Sequence, residues 1–434
     1  MQRDLFVDLL TWKNSPDRKP LVLQGARQVG KTYLLKEFGK KEYHDCLYLN
    51  FERNSELAQF FTAKLEPTKI IENLSLYFEQ KIQSHSTLLI FDEIQECPCA
   101  LNSLKYFCEE APNFHIAAAG SLLGVKLAHT AGFPVGKVNF LNLHPLSFYE
   151  FLDAINKNGL RSYLSQINTA TPLLEPFHTE LLELLKKYMI IGGMPAAVAN
   201  YAAHRDLIQI REIQDDILKA YNLDFAKHAP QNEIMRISQV WQSIPRQLAK
   251  DNNKFIFSVI REGARAREYE IALQWLCEAG LIIKSHNLTK PVLPLPAYGD
   301  TNAFKVFMLD TGLLSAMSNV PLKLVASDNQ LFADEFKGAI TENYVAQVLN
   351  SIGKPLYYWT SAATAEVDFI VEDGGDIHPL EVKSGISQRK KSLIEYDKKY
   401  QPKILFRASA MNLKHDGKIC NLPLYLCAEF AKFV

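Results

Sequence analysis

The sequence carries no surplus of either charge: Lys plus Arg number 48 and so do Asp plus Glu. No global basic field therefore advertises nucleic acid, and any such contact has to come from local patches. Long apolar runs are missing as well, and nothing approaches the roughly 20 residues of a membrane-spanning helix. The opening Met1-Gln-Arg-Asp-Leu5 lacks a signal-peptide pattern. These absences predict a cytoplasmic protein with no membrane partner. The seven cysteines are odd in number and without paired metal spacing, which suits a reducing compartment. Cys97-Pro-Cys99, the one close pair, reads as incidental thiols after an acidic strand. Repeats and low-complexity linkers are absent too. What remains is an ordinary composition, 47% hydrophobic and 22% charged, able to bury real cores. A chain of 434 residues predicts more than one domain, roughly three by size.

The most informative run is Gly25-Ala-Arg-Gln28-Val29-Gly30-Lys31-Thr32, which fits G-x-x-x-x-G-K-[ST]. Gly25 and Gly30 let the backbone turn tightly, so that several N–H groups, those of Gln28 and Val29 among them, face one phosphate chain. Lys31 reaches the β- and γ-phosphates, and the Thr32 hydroxyl coordinates Mg²⁺. Leu21-Val-Leu23 predicts a buried strand entering the loop, and Leu34, Leu35 and Phe38 recur at helical spacing after it. The phosphates are thus expected at a helix N-terminus, with ATP and Mg²⁺ as cofactors.

Thr87-Leu-Leu-Ile-Phe-Asp92-Glu93 is an apolar strand ending in two acids. Asp92 suits a hard cation, and Glu93 can polarise a water for attack on the γ-phosphate. Taken alone, the pair also fits a strand end capped by solvated acids. His115-Ile-Ala-Ala-Ala-Gly120-Ser121 predicts the adjacent strand, with Ser121 either sensing the γ-phosphate or simply ending the strand.

The chain changes character in blocks. Residues 1–155 alternate strand-like and helix-like patterns, as a parallel sheet does. Helical patterns dominate 156–231, interrupted by the turn signal Gly192-Gly193-Met194-Pro195. Residues 232–300 form a compact helical segment followed by the proline-rich stretch Thr289 to Gly299, a loop or hairpin wing. Two helices, a tight connection and a hairpin resemble a winged helix-turn-helix. Arg246, Lys250, Lys254, Arg261, Arg265 and Arg267 give it a basic character, opposed by Asp251 and Glu262. Arg265 and Arg267 fall near the start of the second helix, where major-groove contacts begin. Docking of a protein is the equal alternative.

Residues 301–434 hold a second constellation. In Ala365-Glu366-Val367-Asp368-Phe369-Ile370-Val371, strand alternation puts Val367, Phe369 and Val371 on one face and Glu366 and Asp368 on the other. Leu380-Glu381-Val382-Lys383 again alternates, so Glu381 and Lys383 share a face. Upstream, Gly338 to Asn350 predicts an amphipathic helix with Glu342 at the margin of its apolar face. The order of helix Glu, strand Asp and Glu-x-Lys is that of the PD-(D/E)xK nuclease fold. In that reading Asp368 and Glu381 bind a divalent metal with Glu342 assisting, and Lys383 orients water or stabilises charge on the scissile phosphate. The competing reading is a solvated sheet face with Glu/Lys ion pairs. Lys383, Arg389, Lys390, Lys391, Lys398, Lys399 and Lys403 follow as a basic stretch, suited to a phosphate backbone or to plain solvation.

These residues resemble a prokaryotic AAA-type ATPase family with an uncharacterised, nuclease-like C-terminal domain. The resemblance runs through GARQVGKT, FDEIQ, AAAGSLLG, PLSFYEFL, GGMP, KFIFSVI, AREYEIALQWLCEAGLI, LDTGLL, GAITENYVAQVL, AEVDFIV and LEVKSG, in that order. It implies an α/β multidomain fold: a P-loop AAA-type sheet, a helical lid, a winged-helix-like segment and a PD-(D/E)xK nuclease-like domain. It also implies that Gly192-Gly193-Met194-Pro195 is similar to the glycine-proline turn by which signal-transduction ATPases contact nucleotide, with Pro195 near the base or ribose. A purely structural helix–helix turn is the equal alternative. Gly136-Lys137 stands where relatives are expected to carry Gly-Arg, so no arginine finger is assigned. Two functional expectations follow. One is an Mg²⁺-dependent ATPase coupling nucleotide state to a nucleic-acid-directed nuclease-like domain, with Glu93, Asp368, Glu381 and Lys383 catalytic. The other is a nucleotide switch, open to homo-oligomerisation, that binds a partner protein or DNA without cutting it.

Overall fold

A computed structural model describes residues 1–62, 65–120, 135–250, 254–321, 334–361, 365–385 and 391–434, with backbone alone at 334–336. The chain divides into two compact units. One comprises Gln2–His144 with Glu278–Gly280, the other Met1, Pro145–Cys277 and Leu281–Val434.

In the first unit, β1 (Leu21–Gln24), β2 (Asp45–Asn50), β3 (Thr87–Asp92), β4 (His115–Ala119) and β5 (Asn139–Asn142) form a sheet in the order β2-β3-β4-β1-β5. Every pairing is parallel. Helices α1 (Leu5–Asn14), α2 (Lys31–Glu42), α3 (Pro67–Tyr77) and α4 (Pro98–Glu110) connect and cover it. Continuous apolar strands such as Leu88-Leu-Ile-Phe91 are what a sheet buried on both faces requires, and all of these residues are fully buried. Val22, Leu49, Phe91, Leu104, Phe107 and Ile116 belong to its core. Because the strands run parallel, the loop after β1 and the acids after β3 lie at the same carboxyl edge, separated by β4.

The second unit begins with helices α5 (Phe148–Ala154), α6 (Asn158–Gln166), α7 (Glu175–Ile191), α8 (Pro195–His204), α9 (Leu207–His228), α10 (Ile234–Leu248), α11 (Phe257–Ile260) and α12 (Ala266–Glu278). Ser147 and Glu150 close a capping box at α5, which explains the Pro145-Leu-Ser-Phe-Tyr-Glu150 spacing. Strands β6 (Ile282–Leu288) and β7 (Gly299–Met308) follow, then α13 (Thr311–Met317), α14 (Asp334–Ser351), β8 (Leu356–Thr360), β9 (Glu366–Asp373), β10 (Asp376–Val382), α15 (Lys391–Tyr400), β11 (Leu405–Ser409), β12 (Lys414–Asp416) and β13 (Ile419–Pro423). They build one eight-stranded sheet in the order β12-β13-β11-β10-β9-β8-β6-β7.

The stretch read as a loop or hairpin wing joins β6 to β7, which pair antiparallel, and β6 also pairs in parallel with β8, so the sheet runs across the 300/301 boundary. Strand pairing links positions far apart in the chain, which local patterns do not report. The helix read as amphipathic is buried nearly all round, with Ala339, Ile340, Thr341, Glu342, Asn343, Tyr344, Val345 and Ala346 all buried. Its polar residues are taken up inside: Asn343 Nδ2 donates to the Met308 carbonyl and Gln347 Nε2 to the Tyr188 hydroxyl.

The Gly192-Gly193-Met194-Pro195 turn locks onto the segment that opens α13. Gly193 N donates to Asp310 Oδ2 at 2.6 Å, while Asp310 Oδ1 caps α13 at Leu313 N, 2.9 Å. A Cβ on Gly192, whose φ is +76°, would meet Asp310 Oδ1 at 2.2 Å, and one on Gly312 would meet the Ile191 carbonyl at 2.4 Å. Gly312 is there because its backbone touches that of Ile191, and Gly192 because a carboxylate stands where its Cβ would go.

Candidate nucleotide site and a buried charge cluster

The loop after β1 is shaped by three residues in the left-handed region: Gly25 (φ +143°), Gln28 (φ +67°) and Gly30 (φ +96°). A Cβ at Gly25 would lie 2.2 Å from the Leu143 carbonyl oxygen, so only glycine fits. Gly30 precedes α2 as its N-cap, so the loop ends at a helix N-terminus. Arg3, which sequence reasoning passed over, supports the loop from below. Its guanidinium donates to the Val29 carbonyl at 2.9 Å and to the His144 carbonyl at 2.6 Å. Its only sequence signal is an arginine near the N-terminus, which says nothing about a partner so distant along the chain.

Lys31 is buried, and its Nζ donates to the carbonyls of Gly25 and Ala26, both at 2.8 Å. Burial pushes its ammonium down to about 8, against the opposing pull of Glu93 and Asp92. Thr32 Oγ1 donates to Asp92 Oδ2 at 3.0 Å, so the loop and the acidic strand meet at one point. The Tyr48 hydroxyl, from β2, donates to Asp92 Oδ2 at 2.6 Å, and Lys36 lies over the Tyr48 ring, 3.4 Å from its centroid. Burial and that carboxylate bond push the Tyr48 hydroxyl up to about 12. Tyr48 is a second member that sequence spacing did not reveal. Glu93 follows β3 in a left-handed conformation (φ +50°), and its Oε2 accepts from Gln95 Nε2 at 2.5 Å.

These groups suit a nucleotide with its cation. The Lys31 ammonium already holds oxygen acceptors inside the loop, and a hydroxyl and a carboxylate stand together as hard oxygen donors beside it. Ser121 lies outside the described residues. Pro195 opens α8 in the other unit. Lys137 forms an exposed ion pair with Glu109 at 2.9 Å.

In the second unit, the carboxylates of Glu342 (α14), Glu366 and Asp368 (β9) present oxygens within 4.8 Å of one another. Lys305 of β7, fully buried, reaches all three: 2.6 Å to Glu342, 2.5 Å to Glu366 and 3.9 Å to Asp368. Burial alone lowers its affinity for the proton, but Glu342, Glu366 and Asp368 together outweigh it and hold Lys305 above the ordinary lysine range. Glu342 is raised, first by burial and against the pull of Lys305. Glu366 is raised in the same way. Glu342 and Asp368 are thus neighbours, and Glu366 shares the strand face of Asp368 that alternation assigns it. Sequence reasoning had no part for Lys305, one basic residue in the apolar run Ala303-Phe-Lys-Val-Phe-Met308.

Glu381 is not a member of that carboxylate group. Its Oε1 pairs with Lys383 at 2.9 Å, and its buried Oε2 has no hydrogen-bond partner among the described residues. Asp368 Oδ2 accepts from Val382 N at 2.7 Å, tying β9 to β10. Of the basic stretch, Arg389 and Lys390 lie outside the described residues. Lys403 pairs with Asp376 at 2.6 Å, and Lys399 lies over the Trp359 ring at 5.6 Å. Arg265 and Arg267 are exposed at the start of α12. No described helix is long and apolar enough to cross a membrane.

Residues 17–152 match the family described as AAA domain. Residues 182–324 and 337–426 match two domains of unknown function, DUF8612 and DUF4143. None of the curated proteins matches the chain. Among solved structures, a Walker-type ATPase of Pyrococcus abyssi is similar at 15% identity, covering 73% of this chain and 95% of that one, with a TM-score of 0.45. A RuvB protein of Thermotoga maritima is similar at 13% identity over 65% of this chain and 89% of that one, TM-score 0.29. A signal transduction ATPase with numerous domains and a tetratricopeptide repeat sensor, from Pyrococcus horikoshii, is similar at 12% identity over 81% and 45%, TM-score 0.26. At these TM-scores the structural likenesses do not amount to a shared whole-chain fold. The family match over residues 17–152, on a parallel sheet whose phosphate loop faces Asp92, supports an AAA-type P-loop ATPase.

Proposed function

We propose that the chain is an Mg²⁺-dependent ATPase that passes its nucleotide state to its C-terminal half. The observation that carries the ATPase part is the meeting of Lys31, Thr32 and Asp92 at one end of a parallel sheet. Mg²⁺, when bound with ATP, neutralises charge on the phosphates and orients them. Lys31 exchanges its loop carbonyls for phosphate oxygens, and the N–H groups of Gln28, Val29 and Gly30 cradle the phosphate chain. Thr32 and Asp92 hold the cation. Glu93 polarises the attacking water after leaving Gln95. Lys31→Ala is expected to abolish ATP binding and turnover; unchanged hydrolysis by a clean preparation of that variant would sink the assignment.

For the C-terminal half there are two readings. In the nuclease-like one, Asp368 and Glu381 hold a divalent metal with help from Glu342, and Lys383 assists at the phosphate. In the other, the half binds a partner protein or DNA without cutting, Arg265 and Arg267 at the exposed start of α12 being the DNA-facing candidates. The pairing of Glu381 with Lys383, which already occupies one proposed metal ligand, favours binding without cleavage. Plasmid nicking with Mg²⁺ or Mn²⁺, with and without ATP, separates the two. Cleavage that disappears in Asp368→Ala establishes the nuclease, and no cleavage under any condition supports the switch.

A further inference from the structure

The carboxylates of Glu342, Glu366 and Asp368 already enclose a cation, and it belongs to the protein. Lys305 Nζ stands 2.6 Å from Glu342 and 2.5 Å from Glu366, with Asp368 at 3.9 Å. A divalent ion shared by these carboxylates would sit about 2.0–2.6 Å from each oxygen. It would therefore take the position at which the ammonium makes its ion pairs. Two cations bonded to the same oxygens would stand a few ångströms apart, in a buried setting where little water screens them. The Lys305 side chain is 0% exposed, in the strand next to β6, and the Tyr358 ring centroid lies 5.1 Å from Nζ.

The trio of Glu342, Glu366 and Asp368, with Lys305 among them, thus does not fit a divalent metal. We propose that Lys305 is the resident cation of this cluster, taking the place of a divalent metal and clamping α14, β7 and β9 together. This deepens the reading of the C-terminal half as binding without cleaving, and rests on it. The chemistry has a corollary: the three carboxylates are hard oxygen ligands gathered within 4.8 Å. Once the ammonium is gone they form a site for Mn²⁺, Mg²⁺ or Ca²⁺, because buried carboxylates left without a counter-charge demand one.

The test is Mn²⁺ binding to the nucleotide-free full chain, followed by the electron paramagnetic resonance signal of free Mn²⁺, in wild type, Asp368→Asn, Lys305→Met and Lys305→Met/Asp368→Asn. Wild type and Asp368→Asn are expected to titrate alike. Lys305→Met is expected to gain a site that the double variant loses, and its thermal midpoint, lowered without metal, is expected to rise on adding Mn²⁺. Lys305→Arg, which keeps the charge, gains no site. A wild-type Mn²⁺ site lost in Asp368→Asn overturns the proposal, and that comparison decides even where Lys305→Met does not fold. A soluble Lys305→Met with no new site overturns it as well. Plasmid nicking is read separately: a wild type that binds Mn²⁺ through Asp368 yet leaves DNA intact removes the resident-cation proposal and spares the non-cleaving reading.

Discussion

Lys31 holds a charge where burial opposes it, and the loop carbonyls of Gly25 and Ala26 are modest compensation. Phosphates supply what is missing, so nucleotide binding and protonation of Lys31 are linked. With the free-protein value lowered to about 8, the ammonium is mostly protonated at neutral pH and progressively lost above it. The sign follows: binding favours the protonated form, so ATP affinity is level below about pH 7.5 and falls as pH rises through 8, by up to roughly tenfold per unit. Calorimetric titration in buffers of different ionisation heat should show proton uptake on binding near pH 8.5. An affinity constant from pH 7 to 9.5, with no proton uptake, would exclude the linkage. The residues of this site that were legible in the sequence, Gly25 to Thr32 and Asp92, owe that to fixed local spacing. Arg3 and Tyr48 reach the site from other strands or from the chain's beginning, and no spacing announces them. Lys305 was hidden for a different reason: a lone lysine among apolar residues looks like a solvent-facing position in an edge strand until its partners are in place.

At the level of elements, the turn between α7 and α8 and the cap of α13 form one interlocked contact. Gly192, Gly193 and Gly312 pack where any Cβ would strike Asp310, Leu146 or Ile191. Gly192→Ala adds a left-handed backbone penalty to a clash with a buried carboxylate, and is expected to destabilise the second unit by about 3 kcal/mol. Thermal or urea unfolding measures this, and a loss under about 0.5 kcal/mol, the scale of an ordinary surface change, would show that the contact is slack. Asp310 adds a pH signature. Burial pushes its carboxyl up to about 6 against the backbone N–H bonds that favour the charged form. The folded state therefore binds the proton more tightly than the unfolded chain. The contribution of Asp310 to stability is fully present below about pH 4 and is lost as pH rises through 6. Asp310→Asn should flatten that part of the stability profile. The sequence supplied both motifs of this contact, and the turn's glycines and proline marked a helix–helix connection. That one motif exists to receive the other is a tertiary fact. For the same reason α14 looked amphipathic: its spacing shows an apolar face but not the partners inside the fold, Met308 and Tyr188, to which Asn343 and Gln347 bond.

For the whole molecule, β2 and β5 of the first unit are half-exposed strands without a motif, while the part of its parallel sheet built by β1, β3 and β4 was legible, because those are apolar runs ended by recognisable chemistry. The eight-stranded sheet was not, since β6 and β7 precede the rest and join it only through the β6–β8 pairing. The proposed coupling makes its own demand at this scale. A ligand that binds one unit stabilises that unit by mass action, about 2.7 kcal/mol at a hundredfold excess over Kd. It changes the other unit only where the two nucleotide states differ in free energy there. Hydrogen exchange read by mass spectrometry should therefore be compared with ADP and with a non-hydrolysable ATP analogue. Slower exchange in Gln2–His144 is expected with either ligand, around the phosphate loop and β3. Coupling predicts a second change in Pro145–Cys277 or Leu281–Val434 that distinguishes the two nucleotides and vanishes in Lys31→Ala. The contact of Gly192 and Gly193 with Asp310 is the place to look first, because it is tightly packed and joins two segments distant along the chain through a buried hydrogen bond. Protection confined to the first unit, identical for both nucleotides, would leave an ATPase beside an indifferent neighbour, and the coupling would have to be given up while the assignment of Lys31, Thr32 and Asp92 stood.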